Sequence, residues 1–266
     1  MGKKCVFDKF YTKESVVSDL LCYLDIENYD LVIEPSAGNG AFSNNIVHKN
    51  FVAMDIEPDN SDIVKKDWFS YQIPENFNKV LIVGNPPFGD RNNLSKNFIK
   101  HALKFINVET IAFVLPNVFK KHTNQKIMPE EFRLARVIDL PRDSFLLDGD
   151  DYHVPCSFFI WTKSEGISDF RFDIEKYRVH PDFNFVEKEE ADFYIMGASP
   201  SVIKNVEEVS TNNRGYYIKA NIPIDVLKRN FKEIPWSKIG NSSVNGGVSW
   251  YTKHEIVKVY DDEKRI

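Results

Sequence analysis

Over the first 165 residues, short apolar runs rich in β-forming residues alternate with stretches that have the periodicity of helices. This alternation restricts the fold more than any other feature, because strands joined by helical crossovers lie side by side in a parallel sheet. The predicted strands are 30–34, 51–55, 63–69, 79–84, 110–115, 136–140 and 156–162, and the predicted helices are 14–25, 41–48 and 93–106. The sequence therefore predicts an α/β domain with a doubly wound, mainly parallel sheet.

The pattern changes near residue 166. Short alternating runs near 170–174, 193–196 and 215–218 are separated by Pro, Asn and Gly, which favour turns. We therefore expect one domain over residues 1–165 and a small strand-rich C-terminal extension over residues 166–266.

Composition excludes several classes of protein. No run approaches the roughly 18 consecutive apolar residues of a membrane span, and residues 1–8 lack the apolar stretch of a signal peptide. The widely spaced Cys5, Cys22 and Cys156 predict reduced thiols, no metal site and an intracellular protein of the cytoplasm or nucleus. The net charge of −5 means that contact with nucleic acid would need a local basic patch.

A glycine-rich turn follows the predicted strand 30–34. Residues 34–40 are Glu-Pro-Ser-Ala-Gly-Asn-Gly, and the glycines let a ligand approach the main chain at the carboxyl end of a strand. The turn lacks the glycine spacing of dinucleotide sites and the Lys-Ser/Thr of a P-loop. About 20 residues further on, Asp55 ends the next strand, where a carboxylate can accept hydrogen bonds from ribose hydroxyls. Together they predict a nucleoside site, although each alone also fits an ordinary turn and a surface acid.

The segment Asn85-Pro86-Pro87-Phe88 follows the strongest predicted strand, 79–84. Two prolines remove two N–H donors and restrict two φ angles, so strand pairing stops there and the nearby carbonyls are rigidly oriented. Asn85 adds a side-chain acceptor and Phe88 adds a flat apolar face. The segment thus offers acceptors for an NH₂ group beside a stacking surface, although a simple strand end with a core Phe is the alternative.

The chain resembles the S-adenosylmethionine-dependent methyltransferases that act on the N6 amino group of adenine. The motifs that carry this resemblance are, in order, Phe10-Tyr11-Thr12, the turn from Glu34 to Gly40, Asp55 and Asn85-Pro-Pro-Phe. The order of the motifs is similar to that of the gamma-type DNA enzymes, and the resemblance covers residues 8–165. It implies a Rossmann-like, seven-stranded class I methyltransferase sheet whose last strand, 156–162, is antiparallel. It also implies S-adenosylmethionine as the cofactor and nucleic acid as the partner.

The resemblance further implies roles for individual residues. Tyr11 and Thr12 would lie near the methionine carboxylate of the cofactor. Asp55 would bind the ribose, Ile56 would pack on the adenine, and Asp67 would bond the adenine amino group unless it only caps a helix. The full set of implied cofactor residues is Tyr11, Thr12, Glu34, Pro35, Ser36, Ala37, Gly38, Gly40, Asp55, Ile56, Asp67, Trp68 and Asn85.

The implied catalytic residues are Asn85, Pro86, Pro87 and Phe88. An exocyclic amine is a poor nucleophile, because its lone pair is delocalised into the ring. Hydrogen bonds to the Asn85 side chain and the Pro86 carbonyl would favour a more tetrahedral nitrogen, and Phe88 would stack on the base. Positioning and oriented dipoles would then do most of the catalysis.

Candidate substrate residues lie further along the chain. Tyr152 or His153, just before the last predicted strand, would close a sandwich on the base, or would only cover the core as an edge loop. Between residues 91 and 142, ten Lys and Arg oppose four Asp and Glu, so this window is basic in an acidic chain. Within it Lys120 and Lys121 follow a predicted strand end and are the best candidates for phosphate contacts.

These observations support an adenine-N6 methyltransferase of nucleic acid, with DNA favoured over RNA. An RNA enzyme, a protein amino-methyltransferase and a non-catalytic subunit of the same fold are the alternatives. The extension over 166–266 would serve substrate recognition or partner binding, and a homo-oligomer or a partner subunit is compatible with the sequence.

Overall fold

The computed structural model describes residues 10–236 and 250–264, so Cys5 lies outside the described residues. Within this range the chain forms two compact units. The first unit comprises 10–119 and 123–171, and the second comprises 120–122 together with the described residues from 172 onward.

The described residues of the first unit form ten strands and three helices, the third of which starts at His122. In chain order these elements are β1 (Tyr11–Thr12), α1 (Glu14–Leu21), β2 (Leu31–Glu34), β3 (Phe51–Asp55), β4 (Val64–Lys65), β5 (Val80–Gly84), α2 (Asn93–Ala102), β6 (Val108–Pro116), α3 (His122–Gln125), β7 (Arg133–Asp139), β8 (Phe145–Leu147), β9 (Asp150–Tyr152) and β10 (Cys156–Thr162). Helix α3 begins at His122, the last residue of the short 120–122 segment of the second unit, and continues into the first unit.

Seven of these strands form one sheet, in the order β4-β3-β2-β5-β6-β10-β7. Neighbouring strands are parallel, except that β10 is antiparallel to both β6 and β7. The predicted Rossmann-like class I methyltransferase sheet, with residues 156–162 as its antiparallel strand, is therefore confirmed. The strand order reverses between β2 and β5, and in such sheets ligands bind beyond the carboxyl ends of the strands at that reversal.

The central strands β2, β5, β6 and β10 are buried on both faces, which is why they are largely apolar runs. Successive residues of a strand point to opposite faces. Ile33 and Ile82 accordingly pack in one core with Trp68, Phe98 and Phe159, while Val32 and Leu81 pack in the other with Val17, Phe42 and Phe158.

The predicted helix over 41–48 is wrong, since the structure has only one 3₁₀ turn there, Ser43–Asn45. Polar side chains of this segment bond to the nearby backbone: Asn45 Nδ2 donates to the carbonyl of Ala41 at 2.9 Å, and Ser43 Oγ donates to that of Gly40 at 3.2 Å. Such local bonds compete with helix formation.

Other predicted elements exist but differ in length. The predicted strand 63–69 is reduced to β4, followed by a 3₁₀ helix, Trp68–Ser70. Helices α1 and α2 end earlier than predicted, at Leu21 and Ala102. The strands at 51–55 and 156–162 have the predicted bounds.

A small antiparallel sheet, in the order β1-β8-β9, was not expected from the sequence. It pairs Tyr11 with Leu146 and Phe145 with Tyr152. An ion pair of 2.7 Å between Lys13 and Asp151 lies beside it. The sheet thereby joins the start of the described chain to the hairpin that precedes β10.

Among its described residues, the second unit contains the antiparallel sheet β11-β14-β12-β13 and two helices. These elements are β11 (Phe183–Val186), β12 (Phe193–Met196), β13 (Ile203–Lys204), β14 (Gly215–Ala220), α4 (Ile224–Glu233) and α5 (Lys253–Lys264). Strands β12 and β14 coincide with predicted runs, whereas residues 170–174 form no strand. Phe183, Phe193, Leu227, Phe231 and Tyr260 are fully buried in its core.

No helix of the described residues is long and apolar enough to cross a membrane.

Candidate functional site

A cavity of about 270 Å³ lies in the first unit, at the carboxyl ends of β2, β3 and β5. It contains every predicted catalytic residue and every predicted cofactor residue except Gly40. The lining residues that the sequence indicated are Tyr11, Thr12, Glu34, Pro35, Ser36, Ala37, Gly38, Asp55, Ile56, Asp67, Trp68, Asn85, Pro86, Pro87 and Phe88. Lys120, Lys121, Tyr152 and His153 do not line it.

The glycine-rich turn forms one wall of the cavity. Gly38 has a φ of +54°, and a Cβ atom there would lie 2.9 Å from Cε1 of Tyr11. The tyrosine ring therefore packs against bare backbone, and a side chain at position 38 would displace it. Gly40, with a φ of +97°, shapes the turn from outside the lining.

Asp55 stands at the end of β3 with both carboxylate oxygens oriented by backbone donors. Oδ2 accepts from the N–H of Gly38 at 2.9 Å, and Oδ1 accepts from the N–H of Glu57 at 2.8 Å. A carboxylate offers about four acceptor positions. Two therefore remain for a ligand, which suits a pair of neighbouring hydroxyl groups.

Glu34, at the end of β2, is only 1% exposed although it lines the cavity. Its Oε2 has no hydrogen-bond partner among the described residues. Burial, and secondly the negative charge of Asp55, raise the pKa of its carboxyl to about 8. Gly84 lies against it, since a Cβ atom there would be 3.2 Å from Cγ of Glu34. These surroundings favour the protonated form of the carboxyl unless a cation joins it.

The side-chain amide of Asn85 has a defined orientation. Its Nδ2 donates to the carbonyl of Phe10 at 3.2 Å. A carbonyl can only accept, so the amide oxygen must point the other way. That oxygen, Oδ1, is buried and has no hydrogen-bond partner among the described residues. Ser36 Oγ also donates to the main-chain carbonyl of Asn85 at 3.2 Å, which ties the segment to the glycine-rich turn.

Three aromatic rings follow one another beside Asn85. Phe88 is 5% exposed, and its ring centroid lies 6.2 Å from that of Phe10. Phe10 stacks on Tyr152 with centroids 4.9 Å apart and planes 10° apart. Tyr152 is therefore close to the predicted position, but Phe10 lies between it and Phe88. His153 is exposed and makes no ring contact in the described structure.

Residues 67–69 add two further aromatic side chains to the lining of the cavity. Asp67 Oδ1 accepts from the N–H of Phe69 at 3.0 Å, so the alternative of a capping acid is observed, and Asp67 lines the cavity as well. Trp68 is 2% exposed and donates to the carbonyl of Phe98 at 3.3 Å, which makes it mainly a core residue. Phe69 is 40% exposed and offers the more accessible ring.

Sequence reasoning gave no site role to eight lining residues: Phe10, Asn39, Ala41, Phe42, Glu57, Phe69, Leu94 and Phe98. Phe10 already belongs to the Phe10-Tyr11-Thr12 motif and Phe69 directly follows Trp68, so the sequence contained a usable signal for both. Leu94 and Phe98 are four residues apart on α2, directly after the Asn-Pro-Pro-Phe segment, and share one helix face.

Lys120 and Lys121 belong to the second unit. Lys121 Nζ donates to the carbonyl of Trp250 at 2.7 Å and lies 4.0 Å from Oε2 of Glu255, with its side chain mostly buried. Lys121 therefore stabilises this unit, and a phosphate would have to compete with these contacts. The phosphate role of both lysines stays a prediction.

Among residues 10–236 and 250–264, no group of three or more His, Cys, Asp and Glu side chains is placed to hold a metal ion.

A scan against protein-family models gives no match, and a search of curated proteins gives no significant one. Among solved structures, the 23S rRNA methyltransferase ErmE aligns with a TM-score of 0.46 and 11% identity, over 94% of this chain and 98% of that one. A protein from Pyrococcus horikoshii, described as a candidate RNA methyltransferase, aligns with a TM-score of 0.44 and 16% identity. The alignment covers 61% of this chain and 91% of that one. The methyltransferase subunit of a type I restriction–modification system from Streptococcus thermophilus aligns with a TM-score of 0.41 and 17% identity. This alignment covers 59% of this chain and 46% of that one. All three similarities are distant, so the fold assignment rests on the strand order of the sheet.

Proposed function

We propose that this chain transfers a methyl group from S-adenosylmethionine to the N6 amino group of adenine in nucleic acid. One observation carries the proposal: the buried amide oxygen of Asn85 has no partner among the described residues, and the ring of Phe88 lines the same cavity. An exocyclic amino group on a planar base needs this combination, an acceptor for its N–H and a flat face for its ring.

The cavity fits the proposed cofactor. The remaining acceptor positions of Asp55 suit the two ribose hydroxyls, and Ile56 and Phe69 offer exposed apolar faces for the adenine ring. The unpartnered oxygen of Glu34 lies in the same cavity and would stabilise a positive charge there. S-adenosylmethionine has an ammonium and a sulfonium group, and it supplies an electrophilic methyl group.

The residues of the chain would act by position. Asn85 Oδ1 would accept one N–H of the target amine and draw its lone pair out of conjugation. The main-chain carbonyl of Pro86 is the proposed second acceptor. Pro86 has no N–H to donate to a neighbouring strand, so the strand pairing ends before it. Phe88 would hold the ring plane and exclude water. A base within a duplex would first have to leave the stack, at a cost of a few kcal/mol.

Two alternatives are less well supported. A protein amide is a poorer fit, because a flat ring such as that of Phe88 gains most against another planar ring. A non-catalytic subunit would not need an unpaired, buried acceptor at Asn85, which costs stability. DNA is favoured over RNA, and the second unit is proposed to bind the substrate or a partner subunit.

The test is methyl transfer from labelled S-adenosylmethionine to DNA and to RNA, followed by nucleoside analysis. The expected product is N6-methyladenine, as the deoxynucleoside or the ribonucleoside. Asn85→Ala should lower turnover by ~10²–10³, the usual cost of deleting one preorganised polar group. Phe88→Tyr should retain much more activity than Phe88→Leu, because a ring survives.

The control for these variants is Asn28→Ala, which removes the same group from an exposed residue outside the cavity. Circular dichroism should show all four variants folded. Full activity of Asn85→Ala, or a wild-type product other than N6-methyladenine, would contradict the proposal.

A further inference from the structure

We infer that Phe10 provides the second aromatic face for the substrate ring, opposite Phe88, and that Tyr152 supports Phe10 from behind. The space between the Phe10 and Phe88 rings is called the aromatic slot below. This inference rests on the proposed function and specifies its substrate class: a planar ring held on both faces.

The geometry of the slot is close to what a planar ring needs. The Phe10 and Phe88 centroids are 6.2 Å apart and the ring planes differ by 32°. Two stacking contacts of about 3.5 Å each require a separation of about 7 Å, so the rings must part by only about 1 Å and become parallel. Both rings line the cavity, so both are accessible to a base that enters it.

Tyr152 cannot provide that face directly, because Phe10 covers it. The two rings are stacked at 4.9 Å and 10°, and Tyr152 does not line the cavity. Tyr152 as a whole residue is 38% exposed. Tyr152 therefore limits how far Phe10 can retreat when the slot opens.

The small sheet holds this support in place. Tyr152 is paired with Phe145 across β8 and β9, and Tyr11, next to Phe10, is paired with Leu146. The ion pair between Lys13 and Asp151 joins the same two segments. Phe10 and Tyr152 are thus fixed to each other by backbone pairing as well as by stacking.

Phe10 also links stacking to the orientation of the acceptor. Its main-chain carbonyl accepts from Asn85 Nδ2 at 3.2 Å, so the slot and the Asn85 oxygen share one residue. Substitutions of the Phe10 side chain keep this carbonyl. They therefore test the ring separately from the orientation of the amide.

The experiment compares Phe10→Leu, Phe10→Trp and Tyr152→Leu with the wild type. Loss of a stacking face should lower kcat/KM for nucleic acid about 5- to 150-fold in Phe10→Leu. Phe10→Trp should stay close to the wild type. Tyr152→Leu should lose less, about 2- to 10-fold, since only support is removed. The calorimetric affinity for S-adenosylhomocysteine should be the same in all of these variants as in the wild type. An unfolded variant would lose this affinity, so the measurement distinguishes loss of stacking from loss of the fold.

An equilibrium measurement makes the result independent of turnover. A single-stranded oligothymidylate with one 2-aminopurine is titrated with each protein in the presence of S-adenosylhomocysteine. The wild type should quench the fluorescence of the base by stacking, and Phe10→Leu should quench it less.

The outcomes separate the two proposals. If Phe10→Leu forms N6-methyladenine with a kcat/KM within twofold of the wild type, the slot is overturned and the proposed function is kept. Methylation of a different group would overturn the proposed function, while the quenching still decides the slot. Equal quenching by both proteins, no quenching by the wild type, or a larger loss in Tyr152→Leu than in Phe10→Leu would each overturn the slot.

Discussion

The buried carboxyl of Glu34 should make the folded protein less stable as the pH rises. Its pKa is raised in the folded state, so the folded protein holds the proton more tightly than the unfolded chain does. At a pH below the pKa that Glu34 has in the unfolded chain, both states are protonated and no stability is lost. Between that pKa and the folded one, the unfolded state ionises first, and stability falls with pH.

The size of the effect follows from the two pKa values. The pKa rises from 4.5 to about 8. Each unit of difference is worth about 1.4 kcal/mol, so ionised Glu34 costs the folded state about 5 kcal/mol. The loss should occur between about pH 4.5 and pH 8 and should then level off. Glu34→Gln keeps the shape of the side chain but cannot ionise, so this part of the pH dependence should disappear.

The assay is urea unfolding of the wild type and Glu34→Gln at intervals from acid to alkaline pH, without cofactor. The quantity compared is the difference in unfolding free energy between the two proteins, in which the titration of all other groups cancels. Glu27→Gln, the same change at an exposed glutamate, is the control and should follow the wild type. Parallel profiles of Glu34→Gln and the wild type would refute the reasoning. Asp55→Asn in the wild-type background should lower the pH at which the loss levels off and should remove only a small part of the loss, because the charge of Asp55 raises the Glu34 pKa less than burial does.

Three further predictions concern other charged residues. Asp55→Ala should lower calorimetric affinity for S-adenosylmethionine at least about tenfold, since each charge-assisted hydrogen bond is worth about 1.5–3 kcal/mol; unchanged affinity in a folded variant would place the cofactor elsewhere. Lys121→Met should lower the free energy of unfolding by about 1–3 kcal/mol, because the carbonyl of Trp250 and buried Glu255 lose their cation. Lys120→Glu should instead weaken nucleic-acid binding and reduce the log–log salt slope by about one; an unaltered slope would contradict the phosphate role.

Much of the central sheet could be predicted because its signals are local. A strand buried on both faces is apolar at most positions, so the apolar runs within 30–34 and 79–84 are recognisable without knowledge of their neighbours. The order of the motifs then indicated which strand ends meet. The structure brings Glu34, Asp55 and Asn85 to one cavity at the reversal of the strand order, as the alternation of strands and helices implied.

The failures have equally local causes. The segment 41–48 has helical spacing of apolar residues, but Ser43 and Asn45 bond to the nearby backbone and stop the helix after one turn. The two-residue strand β1 has no periodicity to detect, and its pairing partner lies more than 130 positions away in the chain.

The sequence by itself determined the apolar strands, the glycine-rich turn and the acceptor and ring of the Asn85–Phe88 segment, because these depend on residues next to one another. Only the tertiary structure decided that the carbonyl of Phe10 orients the Asn85 amide, that the ring of Phe10 lies between Phe88 and Tyr152, and that Lys121 bonds to Trp250. Each of these contacts joins residues far apart in the chain. Their geometry is set by how strands pair and cores pack, which no local pattern of residue types encodes.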